Sequence, residues 1–225
     1  MLYDLVTCPH RVTMDLHGDP AKQDAANPFV KLLWEKGSLF EREVIGGLAL
    51  PFLDLSLYGG EEKERLTLEA IQRGEPLIYG GRIQEPGLLG DPDLLRKETG
   101  GYVAGDIKSG SGEEGPEDES SPKLHYAVQL GLYTDILERK GLSAGRRAFV
   151  WDIHGEEVPY DFMALYGKRD PTTLWADYQY CLLQAQAILN GIYVTRPAYS
   201  AVCKLCHWYS VCMERLKATD DLTLI

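Results

Sequence analysis

The chain has no apolar run long enough to cross a bilayer, which excludes a helical membrane span. It also has no basic targeting segment, no signal peptide and no internal repeat, so a cytoplasmic, non-solenoid protein is expected. Basic residues are the minority: 23 Lys and Arg against 34 Asp and Glu leave a net charge of −11. No basic stripe offsets this, because Arg11, Lys22, Lys31, Arg42, Arg146, Arg147, Lys168 and Arg169 are scattered along the chain. Tight unaided binding to a polyanion is therefore not expected. Cysteine is scarce and odd in number, at five. With no signal peptide, that count argues against a disulfide framework and for a reducing compartment.

What is present suits one compact domain: 225 residues, 44% hydrophobic and 25% charged, close to the globular average. The most informative segments are Gly90 to Asp93 (GDPD) and Gly105 to Gly110 (GDIKSG). Between them the pattern predicts a strand from Leu94 to Glu98, a turn at Thr99, Gly100 and Gly101, and a strand from Tyr102 to Lys108. Side chains alternate across a strand, so Asp106 and Lys108 share a face, and the hairpin returns Asp93 beside them. Two carboxylates and a lysine in one place suit phosphodiester hydrolysis. Carboxylate oxygens hold hard divalent cations that neutralise charge on the phosphorus and leaving oxygen, and Lys108 orients or activates the attacking water. The plainer alternative makes Asp91 and Asp93 turn residues around Pro92, and Asp106 with Lys108 a surface ion pair.

Further segments bear on that choice. Ser121 to Lys140 reads as a helix with Gln129 and Tyr133 four apart on one face. Asn27 to Leu50 is amphipathic through Phe29, Leu32, Leu33, Phe40, Val44 and Leu48, and it carries Gly37 and Glu41. Cys203, Cys206 and Cys212 form a C-x2-C-x5-C run, Cys8 stands near the start, and Cys181 lies among apolar residues as a small buried hydrophobe.

The run PD, then DIK, then QLGLY resembles the ordered motifs of the RecB-like branch of the PD-(D/E)xK nucleases, and the resemblance covers the chain from Cys8 to Cys212. It implies a catalytic set of Asp93, Asp106, Lys108, Gln129 and Tyr133, the last two beside the metal site and touching DNA. It implies a metal-binding set of Glu41, Asp93, Asp106 and Ile107 for Mg²⁺ or Mn²⁺. The branch usually has G-x-x-x-H where this chain has Gly37 and Glu41, so a third carboxylate stands in the histidine's place. One distant cysteine with a C-terminal triplet is similar to the iron-sulfur members, and implies a [4Fe-4S] cluster on Cys8, Cys203, Cys206 and Cys212. Structural zinc on the same thiolates is the alternative, and His207 has the wrong spacing to replace a ligand. Among these relatives the CRISPR adaptation nuclease is the most specific match. It implies trimming of single-stranded 3′ overhangs on prespacer DNA near the protospacer-adjacent motif, with the CRISPR integrase complex as partner in trans or as a fused domain. A stand-alone RecB-like repair nuclease and a catalytically silent iron-sulfur DNA-binding module are the other readings.

The expected architecture is α/β, a restriction-endonuclease-like mixed sheet flanked by helices, in a single domain over 1–225. Its parts are a helical segment at 8–60, a sheet core at 75–165 and a C-terminal helix and cysteine segment at 170–215, the two ends joined by the cluster. Strands are expected at Leu77 to Ile83, Arg147 to Ile153 and Glu157 to Phe162, with a turn at His154 and Gly155 and a long helix from Thr172 to Asn190. Tyr58 to Glu64 reads as a linker leading to a short helix that ends at Gly74. Ser109 to Pro122, with five acids and no bases, is expected to be a mobile loop that gates the cleft or touches the DNA strand. The apolar ending ATDDLTLI is expected of a chain cut from a longer protein.

Overall fold

The computed structural model describes residues 1–116 and 120–225. Its helices in chain order are α1 (Leu2–Thr7), α2 (Pro9–His17), α3 (Pro28–Gly46), α4 (Gly60–Arg73), α5 (Leu124–Arg139), α6 (Leu174–Leu189) and α7 (Tyr209–Ala218). The strands are β1 (Leu53–Asp54), β2 (Leu77–Tyr79), β3 (Ile83–Glu85), β4 (Leu88–Gly90), β5 (Leu94–Glu98) and β6 (Gly101–Ile107), followed by β7 (Glu113–Glu114), β8 (Ser121–Pro122), β9 (Ser143–Trp151), β10 (Glu157–Asp161), β11 (Leu165–Tyr166) and β12 (Thr172–Thr173). Among the described residues, no helix is long and apolar enough to cross a membrane. The chain divides into two compact units, one of Met1–Ser38 with Gln179–Ile225 and one of Leu39–Tyr178.

The second unit is built on a six-stranded mixed sheet in the order β1-β2-β5-β6-β9-β10. β5 and β6 form the antiparallel hairpin foreseen from the turn glycines, in register Leu94↔Gly105 through Glu98↔Gly101. β6 then runs parallel to β9, which requires a crossover, and α5 supplies it. The sheet and the end of α3 share a core of Ile45, Leu77, Tyr79, Leu94, Val103, Ile107 and Phe149, with Phe40 and Val44 packed against it. Burial of that apolar surface is the main force seating the helix on the strands.

Several elements depart from the sequence expectation. The strand expected over Leu77 to Ile83 is two, β2 and β3, because Gly80 takes φ 65, a left-handed conformation that stops a ladder. The linker expected at Tyr58 to Glu64 gives way to α4 from Gly60, whose first turn carries Glu61 and Glu62 at the positive end of the helix dipole. The helix expected from Ser121 begins at Leu124, since Ser121 and Pro122 pair with Glu114 and Glu113 in β7–β8. That pairing also corrects the loop expected over Ser109 to Pro122. Its described part is anchored: the Gly112 N–H donates to Asp152 Oδ2 at 3.1 Å, and Tyr160 donates to the Gly112 carbonyl at 2.5 Å. The rest of that expectation, at 117–119, lies outside the described residues.

The first unit is helical. Buried Leu2, Leu5, Val12, Trp208 and Leu216 fill its interior. A polar chain runs through it, in which His10 Nδ1 lies 2.8 Å from Thr195 Oγ1 and Thr195 donates to Thr13 at 2.7 Å.

Candidate active site and cysteine cavity

One step beyond the Leu94↔Gly105 pair, the β5–β6 register sets Asp93 opposite Asp106. The Asp93 N–H points to Asp106 Oδ1 at 3.4 Å, and the Ile107 N–H donates to Asp93 Oδ2 at 2.8 Å. Asp106 is fully buried, at 0% exposure. Lys108 Nζ stands 2.9 Å from its Oδ2, yet that oxygen accepts no hydrogen bond of regular geometry among the described residues. A buried carboxylate is tolerated when it is paired with a cation, and here the partner is the Lys108 ammonium.

Burial, then the neighbouring Asp106 carboxylate, push the Asp93 carboxyl well above the usual range, against the pull of Lys108 and the Ile107 N–H. Burial acts to lower Lys108, but the charges of Asp106 and Asp93 outweigh it and hold the ammonium above its ordinary value. Lys108 is fixed further by its backbone N–H donating to the Trp151 carbonyl at 2.9 Å, and its Nζ lies 5.5 Å from the centre of the Tyr126 ring.

Glu41 reaches this unit from the last turns of α3 and accepts a hydrogen bond from Tyr79 Oη at 2.9 Å. Its charge adds to the field that raises Asp93. Among the described residues no three Asp, Glu, His or Cys side chains gather tightly enough to enclose an ion by themselves. A pair of carboxylates still fits a cation that keeps several of its own waters, as Mg²⁺ does.

Tyr133, on α5, is buried and packs against Gly90 of the GDPD bend. Its hydroxyl donates to the Asp91 carbonyl at 3.3 Å and accepts from Gln129 Nε2 at 2.7 Å. Both residues thus brace the bend that carries Asp93, with Gln129 the more exposed of the two. The other side of the bend is held by Arg82, whose Nε and Nη2 donate to the two Asp91 oxygens at 2.6 and 2.7 Å. Neither Arg82 nor Tyr79 was legible as a site residue. Tyr79 ends an apolar strand run, and the Arg82–Asp91 pair spans a hairpin whose register no motif announces.

In the first unit, Cys8, Cys203, Cys206 and Cys212 line one cavity of about 340 Å³. Three of the sulfurs face backbone donors at 3.4 Å: Cys8 the Arg11 N–H, Cys203 that of Ser200 and Cys206 that of Trp208. The Cys212 thiol is pushed up to about 11 by burial and by the charges of Cys206, Cys8 and Cys203. His207 lines the same cavity, but its Nε2 is engaged by Asp15 Oδ1 at 2.6 Å. Cys181 is buried elsewhere, on α6.

A family model described as the PD-(D/E)XK nuclease superfamily matches residues 10–213. No curated protein matches the chain.

Proposed function

The chain belongs to the PD-(D/E)XK nuclease superfamily, whose members are typically metal-dependent nucleases, and on that premise we propose that it is a divalent-metal-dependent deoxyribonuclease. The observation that carries this reading is the convergence of the buried Asp106 carboxylate with Asp93 and Lys108, whose Nζ lies 2.9 Å from Asp106 Oδ2. Asp93, Asp106 and the backbone of Ile107 would hold Mg²⁺ or Mn²⁺, with Glu41 beside them. When bound, such an ion polarises a phosphoryl oxygen and makes water a stronger nucleophile. Lys108, tethered to Asp106, would orient or activate the attacking water, while Tyr133 and, through it, Gln129 keep the GDPD bend in place, and Gln129, the more exposed of the two, would contact the DNA.

Asp106→Ala or Lys108→Ala is expected to lower Mn²⁺-dependent cleavage of single-stranded DNA by about 10²-fold or more, with an unchanged circular dichroism spectrum. A folded variant that cuts at the wild-type rate would overturn this site.

The narrower form of the proposal is trimming of 3′ overhangs on prespacer DNA beside the protospacer-adjacent motif, with the CRISPR integrase supplied in trans or as a fused domain. It is supported by the order of motifs together with the cysteine set, and a stand-alone repair nuclease is the alternative. Trimming that stops at a short motif and accelerates with integrase favours the first; sequence-blind cleavage indifferent to integrase favours the second.

The proposed [4Fe-4S] cluster rests on four cysteines lining a single cavity with N–H donors aimed at three sulfurs, the kind of hydrogen bonding that tunes a cluster. Structural zinc on the same four thiolates is the alternative reading, and among the described residues no three His, Cys, Asp or Glu side chains are gathered for either metal. Anaerobically purified protein is expected to carry about four irons per chain; stoichiometric zinc without iron would replace this reading by the structural-zinc one.

A further inference from the structure

We propose that Tyr79 is the positioning residue for Glu41, holding its carboxylate at the edge of the Asp93–Asp106 pair as a third oxygen donor to the divalent cation; this rests on the nuclease reading above. Glu41 lies one helical turn before Ile45, which is buried in the same core as Leu77, Tyr79 and Leu94. That packing fixes where the helix backbone passes over β2 and leaves the glutamate side chain three torsions of freedom. The Tyr79 hydroxyl removes it, donating to Oε1 at 2.9 Å, and among the described residues no other donor or ion pair holds Glu41. Oε2 is left for another partner.

Tyr79 is well placed for the task because it hardly moves itself. It is buried to 8% exposure, its ring meets Phe52 edge-on at 6.3 Å, and its backbone lies between Asp54 of β1 and Leu94 of β5. The next residue ties the arrangement to the other acids, since the Gly80 N–H donates to the carbonyl of Asp93 at 2.8 Å. The end of β2 and the glycine after it therefore register Glu41 by a side chain and Asp93 by the backbone. A tyrosine present only for packing would need its ring and not its hydroxyl, which makes the two roles separable.

The test is Mn²⁺ binding to the full chain without DNA, read by electron paramagnetic resonance of free Mn²⁺, alongside the Mn²⁺ concentration that half-saturates cleavage. Tyr79→Phe keeps the ring and is expected to weaken Mn²⁺ about tenfold, the scale of one hydrogen bond to a charged group, with the loss seen in metal half-saturation more than in kcat. Glu41→Gln is expected to do the same, and the double variant to add little, because both remove one interaction. Wild-type Mn²⁺ affinity in Tyr79→Phe, or tighter binding, or fully additive losses, would overturn the role of Tyr79. Asp93→Asn keeps that outcome apart from the nuclease reading itself. If it loses Mn²⁺ while Tyr79→Phe does not, only the positioning role fails, whereas if it binds Mn²⁺ as wild type does, the metal site fails.

Discussion

Around Glu157, single residues answer to charge in a way that acid can test. Arg96 donates to both Glu157 oxygens, at 2.6 and 2.9 Å, while its guanidinium lies 4.0 Å over the Phe149 ring, and Trp151 Nε1 adds a third hydrogen bond at 2.9 Å. The Arg96 hydrogen bond first, then that of Trp151, outweigh burial and hold the Glu157 carboxyl below the usual carboxylate range. A folded-state value below the unfolded one stabilises the protein at all pH above the unfolded value, and the benefit is lost as pH falls through the folded value. Because the pair is partly exposed, it is worth less than about 1 kcal/mol. The melting temperature of wild type is expected to drop more than that of Glu157→Gln between about pH 5 and pH 3. Parallel melting curves against pH would show that this carboxylate is not coupled to folding.

Among elements, the β5–β6 hairpin decides most about the proposed site, since the step beyond its last ladder pair sets Asp93 opposite Asp106. Gly105 sits one residue before Asp106, and a Cβ there would clash with the Phe149 ring, which belongs to the sheet core. Gly105→Ala is therefore expected to cost about 1–3 kcal/mol in urea unfolding, and to lower cleavage further by moving the Asp106 backbone. Gly46→Ala is the matched control. It ends α3 with nothing within 4 Å of a new Cβ, so it is expected to be neutral or stabilising by up to about 1 kcal/mol. Equal losses for both would mean that glycine content, not the close approach at Phe149, sets the sensitivity.

At the scale of the whole molecule, charge and the cysteine cavity set the expectations. With a net charge of −11, the isolated chain is expected to bind DNA with Kd no tighter than about 10⁻⁶ M at physiological salt and with a shallow salt dependence. Fluorescence anisotropy over a salt series checks this, and nanomolar affinity with a steep slope would require a basic surface that the sequence does not offer. If the four thiolates hold the proposed cluster, its removal is expected to act first on the elements that present them. Amide exchange is expected to rise in α1, α2 and 200–212 after metal removal, while β5 and β6 keep their protection. Equal deprotection of the hairpin would contradict a local role for the cysteines.

The sequence alone determined what depends on neighbours along the chain. β5 runs from Leu94 to Glu98 as expected, β6 is displaced by one residue, and α5 follows with Gln129 and Tyr133 on it, because alternation, turn glycines and helical spacing are local signals. The facing of Asp93 and Asp106 followed from the same local rule, through the register of a short hairpin. Tertiary structure alone decided what depends on contacts between distant segments. It split the expected strand at Gly80, paired Glu113 and Glu114 with Pro122 and Ser121, and anchored Gly112 on Asp152 and Tyr160. It also chose Tyr79 as the partner of Glu41 and Arg82 as the partner of Asp91. A hydrogen bond between residues 38 positions apart leaves no periodicity to read, since it exists only once apolar burial has seated a helix on a sheet and fixed which polar groups are left to find one another.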